Sequence, residues 1–192
     1  MPPANAWHLR QAVRILHAGG VVAYPTEAVY GLGCDPFDEQ AVLRLLAIKG
    51  RAMDKGLILI AADHDQLAPL LLPQSPEAMA PVLASWPGPS TWILPAADGV
   101  PAWLTGDSDG IAVRVTAHPL AARLCAGFGG PLVSTSANTS GRPAARSALG
   151  VRRAFGNRLD YLLTGDTGGG SRPSEIRDAR DGRLLRAGGA SP

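Results

Sequence analysis

Apolar residues recur at helical spacing through the first segment. Leu9, Val13 and Leu16 share one face over residues 6–18, and Gly19-Gly20 ends the run. Val21 to Tyr24 then reads as a short apolar strand closed by Pro25. Asp38 is placed to cap a helix through Ile48, with Val42, Leu45 and Leu46 facing inward. The unbroken apolar run Leu57 to Ala61 has strand length and predicts a central strand. Helical segments are expected around 64–72 and 75–84, followed by a turn at Trp86-Pro-Gly-Pro89 and a strand from Thr91 to Leu94.

The second half continues the alternation. Ile111 to Val115 is a strand, and His118-Pro119 opens a short helix to Cys125 with proline at its first position. Leu132 to Thr135 is a strand and Ser136 to Pro143 its loop. Ser147 to Phe155 is helical, Tyr161 to Leu163 extended, Gly168 to Gly170 a flexible loop and Leu184-Leu185 a last strand. The alternation is irregular, so the expected fold class is α/β with a twisted mixed sheet flanked by helices rather than a regular doubly wound one. No repeat or linker divides the chain, so one domain is expected over 1–192.

Composition narrows this picture. The chain has 192 residues, 46% of them hydrophobic and 18% charged, enough apolar material for a sizeable core. The net charge of +2 says little about partners, but its distribution says more. Lysine occurs only at Lys49 and Lys55, within seven residues, in a sequence that otherwise uses arginine. Cys34 and Cys125 share no close spacing, which argues against a disulfide framework and fits a reducing, cytoplasmic location. His8, His17, His64 and His118 show no zinc spacing. No basic leader followed by an apolar run opens the chain, and no stretch is long and apolar enough to span a membrane.

Four segments are too polar or too glycine-rich for simple connections. Tyr24 to Gly33 (YPTEAVYGLG) leaves an apolar strand, and its hydroxyls and Glu27 are candidates to line a pocket. Lys49-Gly-Arg51 with Asp54-Lys55 puts three cations between a helix end and a buried strand. Either they answer the helix dipole, worth roughly 0.3–1 kcal/mol each, or they clamp phosphate and carboxylate. Ser134 to Gly141 (STSANTSG) follows a strand's C-terminal end, where α/β proteins bind ligands. The fourth runs from Gly165-Asp166 through Pro173 to Asp178 and ends near Arg186. No GxxxxGK[ST] phosphate loop, helix-opening GxGxxG or GxSxG elbow is present, so three common chemistries lack their signatures.

Taken in order, these segments resemble the YrdC family. Its signature is a Lys-x-Arg pair followed far downstream by Ser-x-Asn, matched here by Lys49, Arg51, Ser136 and Asn138. The YPTE…YGLG stretch at 24–33, WPGP at 86–89, AVRV at 112–115, STSANTSG at 134–141 and PSEIRD at 173–178 also match. The resemblance covers about 10–188 and implies a single-domain YrdC-like fold with a basic concave cavity. The length matches the short members, without the additional C-terminal domain of the long ones.

The resemblance implies an activity as well: L-threonine, bicarbonate and ATP converted to threonylcarbamoyl-AMP and diphosphate, for threonylcarbamoyladenosine at position 37 of tRNA. By that likeness Lys49, Arg51, Ser136 and Asn138 are catalytic. Arg51, Lys55, Ser136 and Arg186 hold ATP, and Thr26, Tyr30, Arg114, Ser134 and Ser174 hold or line the site for threonine. Magnesium is expected on the ATP phosphates rather than in a protein cage, with a threonylcarbamoyl transferase complex acting downstream. Three positions depart from the long members: Ala28 for Thr, Ile60 for His and Ala52 for Pro. The rival reading is a tRNA- or double-stranded-RNA-binding module without synthase activity. It draws on Arg142, Arg146, Arg152, Arg153 and Arg158, which have no acid between them.

Overall fold

The computed structural model describes residues 6–170 and 174–187. Pro173 of the PSEIRD match, and Met1 to Asn5 at the expected leader-free start, fall outside them. The first helix, α1, covers Ala6–His17 and buries Ala12 and Leu16. The strands β1 (Val22–Pro25) and β2 (Tyr30–Gly33) follow, then α2 (Glu39–Lys49). Asp38 caps α2 as expected, its carboxylate accepting from Ala41 N at 3.0 Å, and Gly50 ends it at φ 62°.

Then come β3 (Ile58–Ala61), α3 (Pro76–Ala84), β4 (Thr91–Pro95), α4 (Ala102–Thr105) and β5 (Gly110–Val115). The helix α5 (Pro119–Phe128) leads to β6 (Leu132–Val133) and β7 (Thr135–Ser136). Next are α6 (Ala148–Phe155), β8 (Tyr161–Leu162), β9 (Ile176–Asp178) and β10 (Leu184–Arg186).

The strands form two mixed sheets rather than the one expected. Four stand in the order β7-β2-β1-β8 and six in the order β10-β9-β4-β5-β3-β6. The reason lies in the run Leu132 to Thr135, which reads as one strand but splits. Leu132 and Val133 pair antiparallel with β3, while Thr135 and Ser136 pair antiparallel with β2 in the other sheet. Ser134 is the buried residue of the switch, and its N–H donates to Ile58 O at 2.8 Å.

Three of the apolar strands, β1, β3 and β6, each serve two cores. Val21 and Ala23 join one hydrophobic cluster with Leu59, Val133 and the inner face of α2. Val22 and Tyr24 join a second with Ile60, Leu132, α1 and α5. Burial on both faces is why these strands read as continuous apolar runs. Each fully buried Leu or Ile there contributes about 1.5–3 kcal/mol.

Three local features differ from or extend the expectations. The segment 64–72 holds only a 3-10 turn at Ala68–Leu70, where Pro69 interrupts the helical hydrogen bonds. Tyr30 to Gly33, part of the glycine-rich stretch that follows the first strand, is itself a fully buried strand. Its glycines are required by close approach: a Cβ on Gly33 would meet Val133 O at 2.3 Å, and one on Gly31 would meet Ser134 Oγ at 3.3 Å. The loop Gly168 to Gly170 is tied down, Gly168 N to Thr26 O at 3.0 Å and Gly170 N to Glu27 O at 2.9 Å.

Candidate functional site

A cavity of about 800 Å³ opens between the two sheets. The β1–β2 turn supplies one wall, the segment after α2 a second, and β5 the floor. The Ser134–Asn138 loop closes a third side, and Ser174, Ile176 and Arg186 a fourth. Ten of the eleven site residues expected from sequence line it: Thr26, Tyr30, Arg51, Lys55, Arg114, Ser134, Ser136, Asn138, Ser174 and Arg186. They come from six separate stretches, so only the fold brings them together. Of the departing positions, Ala28 lines the cavity and Ile60 lies fully buried in the second core.

Lys49 is the exception. It is 4% exposed and sits behind the wall at the end of α2. Its ammonium donates to Ser136 O, to Asn138 O at 2.9 Å and to Asn138 Oδ1 at 3.2 Å. Ser136 Oγ donates to the same Asn138 Oδ1 at 2.6 Å, and Asn138 Nδ2 donates to Arg142 O at 2.7 Å. Ser140 N reaches Lys49 O at 2.9 Å, so the loop is stitched to the helix end from both sides. Burial first, and then the Arg51 guanidinium, lower the Lys49 pKa to about 8.

Other polar groups are committed in the same way. Thr26 Oγ1 donates to Val29 O at 2.7 Å and closes the β1–β2 turn. Tyr30 OH donates to Gly165 O at 2.5 Å and accepts from Gly165 N at 3.1 Å. Arg51 Nη2 donates to Lys55 O at 3.2 Å and Gly56 O at 3.0 Å, folding its loop into a fixed turn. Arg186 Nη2 donates to Ser174 O at 2.9 Å and Ser174 Oγ at 3.2 Å.

The cavity's electrostatics favour anions. Arg51, Lys55, Arg114, Arg142 and Arg186 line it against Glu27, Asp54 and Asp107. The Arg186 pKa is lowered by burial first, then by Arg114 and Arg51. Three guanidiniums therefore share one field. Such crowding is relieved by a ligand rich in negative oxygen. An apolar wall of Ile58, Leu104, Ala112 and Ile93 adds room for a less polar group. Among the described residues, no three His, Cys, Asp or Glu side chains cluster as a metal cage.

The arginines of 142–158 do not act as one face. Arg142 lines the cavity, Arg146 donates to Gly170 O, and Arg158 donates to Phe155 O at 3.2 Å and lies over the Phe155 ring. Arg152 and Arg153 stay exposed on α6.

The family model for Sua5, YciO and YrdC, described as telomere recombination, matches residues 14–188. The chain belongs to the Sua5/YciO/YrdC family. Threonylcarbamoyl-AMP synthase of Nitrosococcus oceani is 57% identical over 180 residues, covering 94% of this chain and 97% of its own. That of Halorhodospira halophila is 57% identical over 185 residues, covering 96% and 97%. The crystal structure of P. abyssi Sua5 complexed with L-threonine superposes with a TM-score of 0.90 at 37% identity. It covers 96% of this chain, which spans 55% of that longer protein. E. coli YciO, another member of this Sua5/YciO/YrdC family, follows at a TM-score of 0.79 and 27% identity, over 88% of this chain and 82% of its own.

The sequence assigned no catalytic or binding role to Glu27 or Asp54, though both lie in its candidate segments, and did not single out Asp107 or the apolar wall. Glu27 had a signal as an acid among the hydroxyls of the YPTE stretch, and Asp54 as the acid beside Lys55. The wall residues look like any strand interior until the sheets are assembled.

Proposed function

We propose that this chain is a threonylcarbamoyl-AMP synthase, joining L-threonine, bicarbonate and ATP into threonylcarbamoyl-AMP with release of diphosphate. The observation that carries the reading is the cation-lined cavity, held by a chain 57% identical to synthases of that name across nearly their whole length. Threonine's amine takes up bicarbonate with loss of water to give N-carboxythreonine. The new carboxylate attacks the α-phosphorus of ATP, and diphosphate leaves.

Every participant is rich in negative oxygen, so positioned cations and hydrogen-bond donors do the chemistry and no side-chain nucleophile is needed. Arg51, Lys55 and Arg186 hold the phosphates, with Ser136 and Asn138 facing them. Arg114, Ser134 and Ser174 hold threonine, with Thr26 and Tyr30 shaping its wall. Lys49 supports this catalytic group from behind the loop. Magnesium rides on the ATP phosphates. The product passes to a transferase complex that modifies tRNA at position 37, and the same basic rim can meet tRNA directly.

The test is diphosphate release by the purified chain, with and without threonine and bicarbonate. Dependence on both is the expected result. No release that depends on threonine and bicarbonate, with tight salt-sensitive tRNA binding instead, would replace the synthase with an RNA-binding module.

A further inference from the structure

Glu27 has no part in the reaction as described, yet it lies at the junction of the two sheets. It belongs to the β1–β2 turn of the four-stranded sheet, while its carboxylate engages the end of β5 in the six-stranded one. Oε1 accepts from Thr116 Oγ1 at 2.7 Å and from Ala117 N at 3.0 Å. Oε2 lies 3.4 Å from Arg114 Nη2, and the two side chains are only 17% and 7% exposed. Oε2 and Arg114 Nε have no hydrogen-bond partner among the described residues. Their mutual charge is therefore what holds them.

The surroundings bear on the same point. His118, which follows Thr116 and Ala117, accepts from Ala121 N at Nδ1, so its Nε2 carries the proton and donates to Asp166 O at 3.0 Å. Gly168 and Gly170 pack on the Glu27 backbone, where an added Cβ would come within 3.0 Å and 2.9 Å of Glu27 O. Burial pushes the Glu27 pKa up, but Arg114, the Thr116 hydroxyl and backbone donors outweigh it and hold the carboxyl below its usual value. Glu27 is thus a fixed negative charge.

Among the described residues, Arg114 is the one cavity cation with a carboxylate within ion-pair distance. Arg51, Lys55, Arg142 and Arg186 have none. A polyphosphate is drawn to the unpaired cations and repelled by a carboxylate beside the guanidinium. A single carboxylate, less strongly repelled, can still use the fork of Arg114, provided the fork is held in place.

We propose that Glu27 is a positioning and specificity residue: it orients Arg114 and reserves it for the carboxylate of the amino-acid substrate, leaving the phosphates to the other cations. This rests on the reading of Arg114 as the threonine-carboxylate partner. Glu27→Gln keeps an oxygen for Thr116 and Ala117 but turns an amide N–H toward the guanidinium.

The experiment is steady-state diphosphate release by the full chain, varying threonine at saturating ATP and then the reverse. Glu27→Gln should raise the threonine KM by about tenfold or more and leave the ATP KM within about twofold. Added diphosphate should become competitive against threonine. Glu27→Asp, which keeps the charge, should recover part of the loss. Should Glu27→Gln not fold, the Asp variant must show the same split in smaller measure. A lowered melting temperature with both KM values moved alike, or with neither moved, overturns the proposal. Arg114→Ala separates the two layers. Unchanged threonine KM there overturns the role of Arg114 and the proposal with it. A large rise there, with Glu27→Gln silent, overturns the proposal alone.

Discussion

The Lys49 ammonium meets both oxygens of Asn138, the backbone carbonyl at 2.9 Å and Oδ1 at 3.2 Å. The two residues lie far apart in the chain and form the two halves of the family signature. In the fold one holds the other, and the Ser136–Asn138 loop takes its shape from a buried charge.

Removing that charge should therefore cost turnover more than substrate affinity. Lys49→Met and Asn138→Ala are each expected to slow diphosphate release on the order of 10²-fold or more, the scale set by losing one well-placed oxyanion donor. Circular dichroism should show the fold retained. Near-normal release by both variants would remove the loop from the catalytic account.

The pH dependence has a definite sign. With its pKa lowered to about 8, Lys49 keeps its full charge only below that value. Turnover is expected to fall as pH rises through about 8. The same group does not weaken the fold there. A lysine with a depressed folded pKa carries its desolvation cost at low pH and sheds it as pH rises. Activity should thus fade while the melting temperature holds.

The fold should weaken at higher pH for another reason. Burial raises the thiol pKa of Cys34. It is also the first cause that raises the thiol pKa of Cys125, to about 12. Groups with raised folded pKa values contribute stability that is complete below the unfolded thiol value near 9 and lost as pH climbs beyond it. Thermal melts between pH 8 and 11 should show the decline starting about one unit above the loss of activity. Coincident declines would count against the Lys49 assignment.

Gly33→Ala tests the junction of the sheets. The new methyl would sit 2.3 Å from Val133 O and 2.9 Å from the Tyr24 ring, both in packed surroundings. A loss of at least about 1–3 kcal/mol is expected from denaturant unfolding. An unchanged midpoint would mean that β2 and β6 have room to separate.

Arg153→Ala should be nearly silent in synthesis. Arg153 is exposed on α6 and does not line the cavity. A large loss of diphosphate release would place the basic helix inside the active site.

The sequence by itself determined the elements whose signal is local. The Asp38 cap, the apolar runs of β1, β3 and β5, and the proline-opened α5 follow from propensities and patterning within a few residues. The family resemblance, carried by motifs along the chain, likewise named ten residues that line the cavity. Tertiary structure decided the rest. The strand identity of Tyr30-Gly-Leu-Gly33 comes from Val133 and Ser134 pressing against its glycines, which no local preference encodes. The split at Ser134, the retreat of Lys49 behind its loop and the pairing of Glu27 with Arg114 depend on contacts between segments far apart in sequence. Charge and hydrogen bonding act at a few ångströms, and only the packed sheets bring those groups that close.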